Sequence, residues 1–102
     1  MFIIYLRLAE NKAKAPEFMA GHNEWIARGV EDGVFLVVGS LRPEGGGAII
    51  AHGEDRPLIE ARVAADPFVR ESVVTIEIQE VAPVRTDKRL SFLLDADIEK
   101  GS

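Results

Sequence analysis

Apolar residues crowd the start of the chain. Phe2-Ile3-Ile4-Tyr5-Leu6-Arg7-Leu8 is rich in β-branched and aromatic side chains and predicts a strand. Phe2, Ile4, Leu6 and Leu8 share one face, while Ile3 and Tyr5 make the other face apolar as well. From Ala13 to Glu31 the period changes. Phe18, Trp25, Ile26 and Gly29 fall at i, i+7, i+8 and i+11, the row that one side of a helix presents. Pro16 is tolerated because it sits near the first turn, and Asp32-Gly33 is a stop signal.

Val34 to Val38 is an unbroken apolar run, which suits a strand covered on both faces. Leu41 to Gly46, with Pro43 and its glycines, reads as a hairpin loop, and Ala48 to Ala51 as the returning strand. Asp55 is a candidate N-cap with Pro57 just inside the next helix. That helix is expected to run to about Ala65 with Ile59 and Val63 inward. Asp66-Pro67 should end it, because the residue before proline avoids the αR region. Val73 to Val81 alternates: Val74, Ile76 and Ile78 on one side, Thr75, Glu77 and Gln79 on the other.

The order β-α-β-β-α-β predicts an α+β, ferredoxin-like split βαβ domain: one antiparallel sheet with two helices on one face. The other face needs a cover, since the second strand has no polar side, and a second copy of the chain is the simplest one. Length agrees. A domain of 102 residues has a small core, and self-association buries more surface.

Charge and cysteine count narrow the function. The net charge is −5, and the longest basic cluster is only Lys88-Arg89 beside Asp87. Such a field does not suit nucleic acid or an anionic membrane surface. There is no cysteine, which removes disulfides, thiolate catalysis and cysteine-held metal. Phe2 to Leu6 is too short for a signal segment, and nothing approaches the ~20 apolar residues of a spanning helix, so a cytoplasmic protein is expected. Only two histidines exist, on different elements, so neither a metal site nor a cofactor is expected.

His22 is the most informative residue. It lies four after Phe18 and three before Trp25, on the apolar stripe, where a polar group needs a partner. Asp66 follows Ile59 and Val63 at the inner end of the second helix. Two helices on one sheet face would present one polar residue each. A carboxylate that orients an imidazole makes a general base. The plainer alternative is a satisfied core histidine and an Asp66 that caps its own turn.

Ser40 and Arg42, after the second strand, could bind substrate or serve only the hairpin. Trp25 and Phe68 could line an aromatic pocket or belong to the core. Gly45-Gly46-Gly47 precedes a strand and does not open a helix, which removes a phosphate-loop reading.

Gly21-His22-Asn23-Glu24-Trp25-Ile26, then Gly33 to Gly39, then Ala65-Asp66-Pro67-Phe68, resemble the YciI-like (YCII-related) family in order and spacing over roughly residues 1–84. That pattern is a helix-borne His, a following strand that ends in Gly, and an Asp-Pro-Phe/Tyr turn. The resemblance implies a dimeric α/β barrel and a His–Asp active site carried here by His22 and Asp66. It also implies kinship with muconolactone-isomerase-like proteins and a dechlorinating enzyme of hydroxyquinone breakdown. The expected function is a lyase, isomerase or dehydrochlorinase acting on a small organic molecule. The competing function is a non-catalytic ligand-binding or accessory dimer. Residues 85–102 depart from the family domain. With Leu90, Phe92, Leu93 and Leu94 between charged flanks, they are expected to dock on their own domain or on a partner subunit.

Overall fold

The computed structural model of the chain describes residues 1–94. Strands β1 (Phe2–Leu8), β2 (Phe35–Ser40), β3 (Gly47–Ala51) and β4 (Val74–Glu80) form one antiparallel sheet in the order β2-β3-β1-β4. Helix α1 spans Ala15–Glu31, α2 spans Arg56–Ala64, and a single turn, α3, spans Pro67–Arg70. The strand and helix order and the antiparallel sheet are those the sequence predicts.

One core joins the layers. Phe2, Ile4 and Leu6 of β1 and Ile49 and Ala51 of β3 are buried against Trp25 of α1, Ile59 and Val63 of α2, and Phe68 of α3. The alternation of β1 is visible in its burial, with Ile3 and Tyr5 only half-covered on the other face. Register puts Ile3 opposite Ile50 and Tyr5 opposite Ala48 on one side, and Gln79 and Glu77 of β4 on the other. The open face is therefore apolar across β3 and β1. It turns charged toward β4, where Arg7 lies over Tyr5 at 4.7 Å and pairs with Glu77 at 3.2 Å.

Three local differences from the sequence reading have physical causes. The first strand residue of β2 is Phe35, because Val34 donates its N–H back to Gly29 O at the end of α1. Val37 and Val38 are 55% and 37% exposed, since β2 is a sheet edge with a bulge between Phe35 and Val37. Asp66-Pro67 stops α2 and also starts α3. The Asp66 carboxylate accepts from Phe68 N at 3.0 Å, and Pro67 occupies the first helical position, which has no need of an N–H.

Of the segment expected to dock, residues 85–94 are described. Leu93 is buried, and the Phe92 ring meets His52 edge-on at 5.1 Å. The remaining residues, 95–102, lie outside the described part. Among the described residues, no helix is long and apolar enough to cross a membrane.

Candidate active site

Chain geometry brings His22 and Asp66 together from α1 and from the α2–α3 junction. Nδ1 of His22 lies 2.8 Å from Oδ1 of Asp66. Asp66 is fully buried and the His22 side chain is 13% exposed, so the contact is shielded from water on one side and reachable on the other. Gly21 eases the approach. A Cβ at that position would meet Pro67 Cγ at 3.1 Å, so a side chain there would crowd the Asp66-Pro67 turn by a few tenths of an ångström.

A carboxylate can only accept. With Asp66 ionised, the contact fixes the proton of neutral imidazole on Nδ1 and leaves the Nε2 lone pair free. Oδ1 of Asp66 serves twice, since it also accepts from Phe68 N. This short-range link places the Phe68 ring parallel to the imidazole, 3.9 Å between centroids at 4°. Trp25, one turn along α1, stacks on the same imidazole at 5.9 Å and 26°, and its Nε1 donates to Arg62 O at 2.8 Å. Oδ2 of Asp66 is buried and has no hydrogen-bond partner among the described residues.

His22 and Phe68 line a cavity of about 430 Å³ between α1 and the sheet. Its helix side is Ala15, Met19, His22, Asn23 and Ile26, and its sheet side includes Leu6, Val38, Ser40, Gly47 and Ile49. That volume falls in the range of small-molecule sites. Ser40 is on the wall. Trp25 is not; it lies behind the imidazole, mostly in the core. Arg42 is exposed on the β2–β3 turn and is not among the lining residues. Gly46 in that turn holds φ +80 and passes close to Leu6 O, which only glycine tolerates.

Asn23, Met19 and Ile26 also line the cavity, and the sequence gives little sign of that role. Ala15, Met19, His22 and Ile26 recur at i, i+4, i+7 and i+11, a second stripe beside the core stripe. It mixes small, flexible and polar residues, so apolar periodicity alone does not reveal it. Among the described residues no three His, Asp or Glu side chains converge as a metal would require.

Fold and site together define a ferredoxin-like α+β domain with a His–Asp pair whose imidazole lines a small cavity. The family model for the YCII-related domain matches residues 1–84, and the chain belongs to that family. A solved structure with the same fold is 5-chloro-2-hydroxyhydroquinone dehydrochlorinase from Burkholderia phenoliruptrix AC1100, in complex with 2,5-dihydroxybenzoquinone. The TM-score is 0.64 at 14% identity, over 87% of this chain and 98% of that one. A search of curated proteins finds no match.

Proposed function

We propose that this chain is a cofactor-independent enzyme of the lyase or isomerase type, dehydrochlorination included, in which His22 is the general base and Asp66 its orienting partner. The observation that carries this reading is the 2.8 Å His22–Asp66 contact at the wall of the cavity. Asp66 holds the imidazole in the tautomer whose Nε2 accepts a proton. After proton transfer the same carboxylate stays hydrogen-bonded to the imidazolium. A small organic molecule in the cavity would lose a C–H or O–H proton to Nε2. The imidazolium would return that proton elsewhere on the molecule, or the freed electron pair would expel a leaving group such as chloride.

The solved neighbour's name supplies a first substrate to try. With 5-chloro-2-hydroxyhydroquinone, chloride release and quinone absorbance should rise together in the wild type. His22→Gln keeps a polar side chain of similar reach but no base, and should slow the reaction by roughly 10²–10⁴-fold. A His22→Gln protein as active as the wild type on any substrate found would end the general-base reading.

The same reading includes a homodimer closed over the open sheet face. Its support is Ile3, Tyr5 and Ile50 half-covered in a single chain and Val37 55% exposed beside them. Sedimentation at micromolar concentration should give twice the 11.2 kDa chain mass. A clean monomer would refute the dimer and leave the base chemistry standing.

A further inference from the structure

Proton abstraction by His22 creates a problem on the substrate side. When Nε2 takes a proton from carbon next to a carbonyl, a C–H bond breaks and an N–H bond forms. The C–H electron pair becomes a carbon–carbon π bond, and the carbonyl π pair moves onto oxygen. The products of the step are an imidazolium and an enolate. Asp66 answers the positive charge, being buried against Nδ1. Nothing in the His–Asp pair answers the negative one, and a developing oxyanion in an apolar cavity needs hydrogen-bond donors.

The lining offers two neutral side-chain donors besides His22. They are the Asn23 amide, one residue further along α1, and the Ser40 hydroxyl at the end of β2. Both side chains belong to exposed residues outside the core cluster, so neither is committed to packing. Ser40 pairs in register with Gly47, which in turn pairs with Leu6, so the position beside the hydroxyl on the cavity floor carries no side chain. A ligand oxygen can approach Ser40 there without displacing a neighbour. The other lining residues are aliphatic, glycine, Met19 or Phe68.

We propose that Asn23 and Ser40 form the oxyanion-binding side of the cavity, which makes the substrate class a ring-sized carbonyl compound or phenol that reacts through an enolate or phenolate. This deepens the general-base reading and rests on it. Neutral donors suit the role. The enolate forms beside an imidazolium, so the bound pair is neutral overall, and a fixed cation would favour permanent anions such as carboxylates over the uncharged ground state. The next step returns the proton from Nε2 to a different carbon, or lets the enolate pair expel a β-halide.

The test is equilibrium binding of two probes to the full chain. 4-Nitrophenol can bind as an oxyanion and is followed by its own absorbance. Its methyl ether, 4-nitroanisole, has nearly the same shape and cannot. Asn23→Ala and Ser40→Ala should each weaken 4-nitrophenol by roughly threefold to a hundredfold, the net worth of one hydrogen bond to a neutral or charged oxygen. Asn23→Asp, which places a like charge there, should weaken it further. All three should bind 4-nitroanisole as the wild type does and should melt as it does. Equal losses for both probes, unchanged 4-nitrophenol binding in both alanine variants, or no 4-nitrophenol binding to the wild type would overturn the assignment. None of these results touches the His22→Gln experiment, so the two readings fail separately.

Discussion

Two charged clusters share Trp25, and they contrast in what they leave free. On one side the indole stacks on His22, whose Nδ1 meets Asp66 at 2.8 Å. On the other, its Nε1 donates to the backbone oxygen of Arg62, whose guanidinium donates to Glu54 at 2.8 and 3.1 Å and to Asp32 at 3.0 Å. The shortest contacts are equal, so distance does not separate a site from a clasp. Arg62 has its fork spent: three of its nitrogens are engaged, and the group joins α2 to the end of α1 and to the β3–α2 loop. His22 has one nitrogen spent and, among the described residues, no partner for the other, beside a cavity.

Protonation sharpens the contrast. Hydrogen bonds donated to Glu54 raise the Arg62 guanidinium above its already high ordinary pKa; partial burial opposes this, and Asp32 adds to the rise. For a raised cation, the stability gained is present below the unfolded pKa and lost only as pH climbs through the folded one. Both lie at extreme alkaline pH, so the guanidinium keeps its charge throughout the neutral range. Imidazole is the side chain whose charge changes near neutrality. The same pairing chemistry thus ties three elements together in one place and holds an imidazole beside a cavity in the other.

The largest expected effect lies at Asp66. Asp66→Ala removes the cap of α3 and the partner of Nδ1 in one change. Unfolding by urea should show a loss of about 2–4 kcal/mol, a cap being worth ~0.5–2 and a buried unpaired donor ~1–3, with one shared oxygen making the two less than additive. Asp66→Asn keeps an acceptor for Phe68 N and for the ring, so its stability loss should be about 1 kcal/mol. It removes the charge that faces the imidazolium, so the activity loss should approach that of His22→Gln. If Asp66→Asn keeps full activity, the pair is a cap and a core histidine, and the contrast with Arg62 disappears.

How much of this the chain announces in advance depends on how each residue is constrained. His22 and Asp66 were legible because a polar residue on an apolar stripe demands a partner, and because the motifs around them match a family. The double role of Asp66-Pro67 was only half legible: proline before a new turn and proline after an old one look the same in sequence. The bulge in β2 and the shift of its start to Phe35 come from tertiary hydrogen bonds that no local pattern encodes. Trp25 and Arg42, named with Ser40 and Phe68 as candidates to meet substrate, lie behind and outside the cavity lining. An aromatic side chain on an inward stripe has the same sequence signature whether it lines a cavity or backs it. Arg42 follows β2 closely in sequence, but it lies exposed in the β2–β3 turn.

The smallest expected effect tests the other half of the comparison. Arg62 is 20% exposed, and its partners Glu54 and Asp32 are 20% and 44% exposed. Water reaches both ends of the Asp32 contact, and screening reduces what each pair contributes. Arg62→Met keeps the aliphatic stem that covers neighbouring surface. It also leaves the Arg62 backbone oxygen in place for Trp25. The expected loss is therefore about 0.5–1 kcal/mol by urea unfolding in low salt, shrinking toward zero in molar salt. Activity on any substrate should be unchanged, since the cluster touches the site only through the indole. A loss of ~3 kcal/mol or more that salt does not relieve would mean that Glu54 is left as an uncompensated buried charge. The Arg62 cluster would then be as deeply desolvated as Asp66, and the free ring nitrogen beside the cavity would be the one remaining distinction between the two.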